Sequence, residues 1–350
     1  MSRPAMPVAR RRRIGATVAQ LRSLLPPDWS LDAVRQRGDV TVLRIADQLG
    51  VQTTLSLLTN EGFEPRDIRG LSLPDGPALV SAAWLSERAR ELLRDRGAGF
   101  IDRTGNAEIR LTQPGLYIRT DGACRNPNPK PSTGPSLRGP RAWALLRTLV
   151  EVHPPYTAGN LADDRALDDG YVSRVLQVLA DEQLIERAPR GAVESVEWEP
   201  LLRRITASYS MLDANSTSTW IAAAGPARLL NDLARLRVGR WAVTGSFVAS
   251  AIAPVAAPEI AVIYTDDPER LAKGARLLPA TTGSNVILAA PYDPIVFQRG
   301  RDVDHVPAVS VAQVAIDSLT GPGRMPAEGE ALLAWMRRNE TRWRIPELKA

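Results

Sequence analysis

Between Asp168 and Asp181 the chain carries the pattern that most limits what it can fold into. Val172, Val175, Leu176 and Leu179 recur at i, i+3, i+4 and i+7, so they share one side of an α-helix and demand burial there. Asp168-Asp169 stand just ahead of this stripe, where a carboxylate accepts hydrogen bonds from the free amides of a first helical turn. Gly170, Ser173, Arg174 and Gln177 follow the same spacing on the opposite side, giving a small, donor-rich face with no acidic group. A helix with that back and that front suits the major groove of a duplex.

The flanking residues complete a motif. Gly139-Pro140 opens an earlier helix, since proline costs nothing in a first turn, and Ala142, Leu145, Leu146 and Leu149 form its apolar side. Thr157 to Leu161 predicts a short second helix with Leu161 inward, and Arg165 to Asp168 a turn. Leu184 to Arg187 and Val193 to Val196 alternate apolar and polar residues around Pro189-Arg190-Gly191, which predicts a hairpin. Helix, helix, recognition helix and hairpin make residues 139–200 a winged helix-turn-helix, with Gly170, Tyr171, Ser173, Arg174 and Gln177 as the DNA-reading set and Arg187 and Arg190 on the wing.

The runs GYVSRVLQVLADEQLIER, Trp198 to Arg204, WAVTGSFVAS, NVILAAPYDPIVF and VAQVAIDSLTGPGRMPAEGEALLAWM resemble the actinobacterial regulators related to AbiEi-type antitoxins of type IV toxin-antitoxin systems. The likeness covers most of the chain. It implies a winged helix that binds DNA, a carboxyl-terminal part with a degenerate nucleotidyltransferase fold, a role as transcriptional regulator or antitoxin-like repressor, and a cognate toxin as a partner.

A chain of 350 residues, 44% hydrophobic and 24% charged, has room for two or three domains with cores of their own. A single cysteine, Cys124, rules out an internal disulfide framework, and His153 and His305 make no ligand cluster, so neither metal nor cofactor is expected. No apolar run approaches the roughly 20 residues that span a bilayer, and Arg10 to Arg13 are not followed by a signal core, so we expect a cytoplasmic, nucleoid-associated protein.

The formal charge of +5 favours a polyanionic partner, but its distribution is uneven. Within 139–200 the arginines are Arg141, Arg147, Arg165, Arg174, Arg187 and Arg190, against eleven carboxylates from Glu151 to Glu199, so this segment is net acidic. Phosphate contacts must then come from Arg174, Arg187 and Arg190, helped by Arg10 to Arg13, Arg125, Lys130, Arg138 and Arg141. Modest, salt-sensitive affinity follows.

The expected organisation is a multidomain α/β (α+β) chain. Residues 1–16 read as a basic disordered tail and 17–121 as a mixed α/β domain. In the latter we expect a helix over 17–25, strands at 40–44, 53–57 and 78–83, a helix over 85–95, and paired strands around Thr104-Gly105-Asn106. Asp102, Glu108 and Arg110 fit a decayed, inactive restriction-endonuclease-like site, or simply a hairpin whose turn needs Asp, Gly and Asn. Residues 122–138 hold Pro127, Pro129, Pro131 and Pro135 and predict a semi-rigid linker. After the winged helix come a connector over 201–215 and a nucleotidyltransferase-like domain over 216–343.

In that last segment Trp241 to Thr244 leads into Gly245-Ser246, a small-residue helix, the strand Ile260 to Tyr264 and Asp266-Asp267. Active nucleotidyltransferases need two carboxylates one residue apart on that strand, and Glu259-Ile260-Ala261 supplies one. Strands are expected at 285–290 and 294–297, then a helix over 311–319. A last helix from Pro326 carries Leu332, Leu333 and Trp335 or Met336, as core or as a partner surface.

The leading expectation is a sequence-specific DNA-binding regulator, with Arg174 bidentate to guanine, Gln177 bidentate to adenine, and a homodimer on a two-fold operator. Two alternatives stand beside it. One is a nucleotidyltransferase-like enzyme using Ser246 and Asp266, the other a winged helix that binds protein, as its acidic surroundings permit. For Arg174 by itself the alternative is an exposed charge paired with Asp181 or another acid.

Overall fold

The computed structural model describes residues 8–37, 39–129, 134–236 and 238–348. The described residues form a mixed α/β chain with three sheets, and the chain divides into two compact units: Met1–Thr133 with Asp181–Gln183, and Gly134–Ala180 with Leu184–Ala350.

The first unit is built on a seven-stranded sheet whose spatial order follows the sequence. Its elements are α1 (Val8–Leu24), β1 (Ser30–Arg37), β2 (Val40–Ala46), β3 (Gln52–Thr59), α2 (Pro65–Arg69), β4 (Ala78–Ala82), α3 (Glu87–Asp95), β5 (Gly99–Asp102), β6 (Ala107–Leu111) and β7 (Leu116–Thr120). Strands β3, β4 and β5 run parallel and the flanking pairs antiparallel. Of the parallel strands β4 is buried throughout and β5 nearly so, with side chains covered on both faces of the sheet. Leu79 and Ile101 face a core with Leu21 and Leu25, while Val80 and Phe100 face one with Ile68, Leu85 and Leu93.

Of the expected disordered tail over 1–16, residues 1–7 lie outside the described residues and 8–16 depart from it, because α1 is continuous from Val8 and Arg10 to Arg13 lie within it. Packing explains the difference. Buried Leu21 and the Thr17 hydroxyl, 2.7 Å from Ser81 Oγ, seat the helix on the sheet. The helix then extends backwards through arginines, which favour helix but bring no apolar periodicity. Arg10 and Arg13 pair with Asp39 and Glu61 at 3.0 and 3.3 Å.

The second unit opens with α4 (Pro140–Glu151), α5 (Ala158–Arg165), α6 (Asp169–Asp181) and the hairpin β8 (Ile185–Arg187) with β9 (Val193–Val196). Then follow α7 (Trp198–Thr206), α8 (Met211–Ala214), β10 (Ser216–Ile221), α9 (Pro226–Leu233), β11 (Trp241–Thr244), α10 (Ser246–Ile252), β12 (Ala261–Thr265), α11 (Pro268–Gly274), β13 (Leu278–Pro279) and β14 (Val286–Ala290). After a 3-10 turn at Pro294–Phe297 come β15 (Arg301–Val303), β16 (Val306–Ala308), α12 (Val311–Leu319), α13 (Met325–Arg338) and α14 (Glu340–Trp343). The larger sheet has the order β13-β10-β14-β12-β11-β16-β15, with β12 parallel to β14 and β11 parallel to β16.

Residues 294–297 are a 3-10 turn, not the expected strand. The Asp293 carboxylate accepts from Ile295 N at 2.8 Å and Pro294 occupies the first position, so a local cap outcompetes ladder pairing for this short apolar run. A single hydrophobic cluster runs from Leu137 through Val172, Leu201 and Tyr264 to Trp343. Residues 139–206 therefore share a core with the sheet that follows them; of the two readings of the stretch after Leu201, helix or connector, the first part is helix, since α7 runs to Thr206 and packs on α4 and α12, and the short α8 follows.

Helix α12 is buried from Val311 to Ser318, and its polar side chains turn onto one another. Asp317 is fully buried and accepts from Tyr209 at 2.8 Å, Tyr264 at 3.1 Å, Gln313 at 2.9 Å and Thr244 at 2.7 Å. Burial pushes its carboxyl up to about 6, with those four hydrogen bonds opposing. Burial likewise pushes the Tyr209 and Tyr264 hydroxyls well above their ordinary value, Asp317 adding to it, so they stay donors.

Candidate nucleic-acid interface

Helix α6 is fixed from behind. Val172, Val175, Leu176 and Leu179 are each 0% exposed, and at the start Asp168 Oδ1 accepts from Tyr171 N at 2.8 Å. The turn before it is set by α5, where Thr157 and Asn160 form a reciprocal capping box and Ala166 ends the helix in the left-handed region at φ 50°. With back and entry angle both determined, the outward face has little freedom.

On that face Arg174 and Gln177 are exposed, and Gly170 and Ser173 are half-buried. A methyl group at Gly170 would lie 3.3 Å from Arg174 Nη1 and 3.1 Å from Asp168 Oδ1, so the glycine lets the guanidinium lie close along the first turn. Asp181 does not take Arg174 in an ion pair, and among the described residues no other carboxylate does. Tyr171 is divided between two roles. Its ring packs partly against the core, and burial raises its hydroxyl despite the opposing charge of Arg141.

The remaining expected contacts separate into groups. Arg141, exposed near the start of α4, acts electrostatically on Tyr171 and so belongs beside the first turn of α6. Arg138 and Arg190 are also exposed. Arg187 is turned into its own hairpin, donating from Nε to Gly191 O at 3.1 Å, which leaves Arg190 as the more open cation of the turn. The hairpin is held by antiparallel pairing of Ile185 with Val196 and by a bridge between Val193 and Tyr156, ahead of α5. Lys130 lies outside the described residues. Arg125 belongs to the first unit, as do Arg10 to Arg13.

Sequence counting made this segment acidic, and the folded unit offsets much of that. Glu151 lies 2.9 Å from Arg147 and 3.3 Å from Arg299, and also accepts from Ser310. Asp164 is taken by Arg165 and Arg299, at 2.7 and 3.0 Å. Glu199 binds Arg203 and Arg337, whose hydrogen bonds and charges outweigh its burial and hold its carboxyl below the ordinary range. Three of the carboxylates are thus neutralised largely by arginines from beyond residue 200. Composition gave no sign of this, because pairing over such sequence separations leaves no local pattern.

The residues suggested for other chemistry are engaged by the protein itself. Asp102 is 0% exposed and accepts from Leu85 N, Thr104 and Asn106. Glu108 is held by Arg94 at 2.8 Å and by Arg110, which overcome its burial and lower its carboxyl. Ser246 donates to Glu328. Asp266 takes the Arg240 fork at 2.9 and 3.0 Å, while Asp267 caps α11. Among the described residues no three His, Cys, Asp or Glu side chains group as metal ligands, and no helix is long and apolar enough to cross a membrane. Comparisons with protein families, curated proteins and solved structures find no match to this chain.

Proposed function

We propose that residues 139–200 are a winged helix-turn-helix and that the protein is a sequence-specific DNA-binding regulator, of the repressor kind that its resemblance to AbiEi-type antitoxins implies. The observation that carries this is the division of α6 into a fully buried aliphatic back and an outward side holding Arg174 and Gln177. A guanidinium fork and a carboxamide are the groups that read guanine and adenine edges bidentately. Arg141 beside the first turn and Arg190 on the hairpin supply phosphate contacts, which fix register without carrying sequence information.

The sheet region completes the proposal as a degenerate nucleotidyltransferase-like fold with a structural role. Its serine and both aspartates are bound by protein groups that a metal pair and a nucleotide would have to displace. A homodimer on a two-fold site and a cognate toxin are the partners we expect. The experiment is selection from a random duplex library followed by gel shift. Parent protein should enrich a motif, and Arg174→Ala should lose preference for it while keeping weak binding to any duplex. A parent that enriches nothing, or a variant that keeps the preference, contradicts the proposal.

A further inference from the structure

Two cavities in the second unit share a wall made by Arg301 and Arg342. One of about 210 Å³ is completed by Ala251, Ile252 and Trp335, and one of about 320 Å³ adjoins the start of α12 and the segment from Trp343 to Pro346. The lining of the larger cavity includes Arg299, Arg301, Arg342 and Arg344 but a single carboxylate, Glu151. That carboxylate is already held by Arg147, Arg299 and Ser310. Arg344 is likewise committed, to Glu340 and to the carbonyls of Leu149 and Val152.

Arg301 and Arg342 are different. Among the described residues neither forms an ion pair. Arg301 Nη2 donates to the Arg342 carbonyl at 3.1 Å, which brings the two residues together, and the Arg342 guanidinium lies over the Trp335 ring at 5.7 Å. Arg301 is half-buried, and that burial, followed by the neighbouring Arg342 charge, pushes its guanidinium down from its ordinary value. Holding like charges together at a partly desolvated site is unfavourable unless an anion joins them.

We infer that Arg301 and Arg342 clasp the phosphate of a small phosphorylated molecule, whose remaining part lies against Trp335 and Ile252. Two guanidinium forks offer more donors than one carboxylate can accept, whereas a phosphate monoester presents three terminal oxygens and nearly two charges. The recess beside Trp335, of about 210 Å³, is smaller than the roughly 300 to 1,000 Å³ of drug-sized sites, which suits a small ligand. The site is independent of the DNA-reading proposal, since none of its residues lies on α6 or the hairpin.

The test titrates the full chain at low salt with ribose 5-phosphate, inorganic phosphate and ribose, following tryptophan fluorescence and thermal stability. Ribose 5-phosphate should bind saturably and raise the melting temperature, inorganic phosphate should compete with it, and ribose should do neither. Arg342→Gln should weaken ribose 5-phosphate at least tenfold without lowering the melting temperature of the free protein, because the exposed side chain lies over Trp335 but makes no ion pair among the described residues. Arg240→Gln, at an arginine committed to Asp266, should bind like the parent. Absence of saturable phosphate binding, or equal affinity in parent and Arg342→Gln, overturns the inference. So does an Arg342→Gln protein that loses duplex binding while neither parent nor variant binds ribose 5-phosphate, an outcome that assigns the pair to a nucleic-acid backbone.

Discussion

Helices α4 and α6 begin from the same kind of sequence and end in opposite situations. Each has an aliphatic stripe at helical spacing and an arginine on the other side, Arg147 in one and Arg174 in the other. In α4 the arginine is sealed, 1% exposed, beside Glu151 and bonded to Gln313 and the Gln298 carbonyl. In α6 the arginine stays exposed. The two stripes alone do not separate these outcomes. What decides is the later chain, because α7 and α12 pack on α4 and turn its polar side into a buried network. A polar helix face is thus available to a partner only if no remote element has already claimed it.

The largest effect that can break this comparison is on stability. Arg147→Ala leaves Glu151 buried with fewer partners and should cost about 3 to 5 kcal/mol in urea unfolding. Replacing both residues, as Arg147→Met with Glu151→Leu, should cost clearly less than the single change, because no carboxylate is then stranded. A loss below about 1 kcal/mol for Arg147→Ala would mean that the network is not the anchor we describe.

Next in size is a pH effect at Asp317. Its folded carboxyl is raised from an ordinary 3.8 to about 6, so the fold binds this proton more tightly than the unfolded chain does. Its contribution is complete below the ordinary value and is lost as pH rises through about 6. Relative to Asp317→Asn, the parent should lose roughly 2 kcal/mol between pH 4 and pH 7. Glu199 and Glu330, both lowered by arginines, act in the opposite sense and are common to both proteins. Parallel stability curves for parent and variant would remove Asp317 from the account.

For α6 the prediction inverts. Arg174→Ala should shift unfolding by less than about 0.5 kcal/mol, yet cost roughly 1 to 3 kcal/mol of discrimination between a selected duplex and its mutated form. The smallest effect belongs to the hairpin. Arg190→Ala should weaken all duplexes alike and reduce the slope of log affinity against log salt by about 1, whereas Arg187→Ala, whose guanidinium is partly held by Gly191, should change the slope less.

Legibility in the sequence followed how local the determining physics is. The stripe of α6, the turn at Pro189 to Gly191, and the strands near Val40, Thr53 and Ala78 depend on neighbours within a few residues, and those elements are present. Strand β1 was not evident, because SLDAVRQR offers few of the β-branched and aromatic residues that mark strands. Pro294 to Phe297 looks like a strand by composition and is bent by its aspartate cap. In the candidate site the exposure of Arg174 and Gln177 was legible from spacing, whereas the turning of Arg187 onto its own hairpin was not. The burial of Arg147, the neutralisation of Asp164 by Arg299 and the pairing of Arg301 with Arg342 join residues far apart in sequence, and no periodicity reports them.

The central claim, that the outward side of α6 meets a duplex, is tested most directly by crosslinking from that side. In a Cys124→Ser background, which removes the exposed native thiol, Gln177→Cys and Asp302→Cys each carry a short photoreactive group, and each protein is irradiated with a selected duplex. The label at position 177 should attach to the duplex at one defined place, and the label at the exposed position 302 of β15 should not. No adduct from position 177, or equal and unlocalised adducts from both positions, would contradict the account.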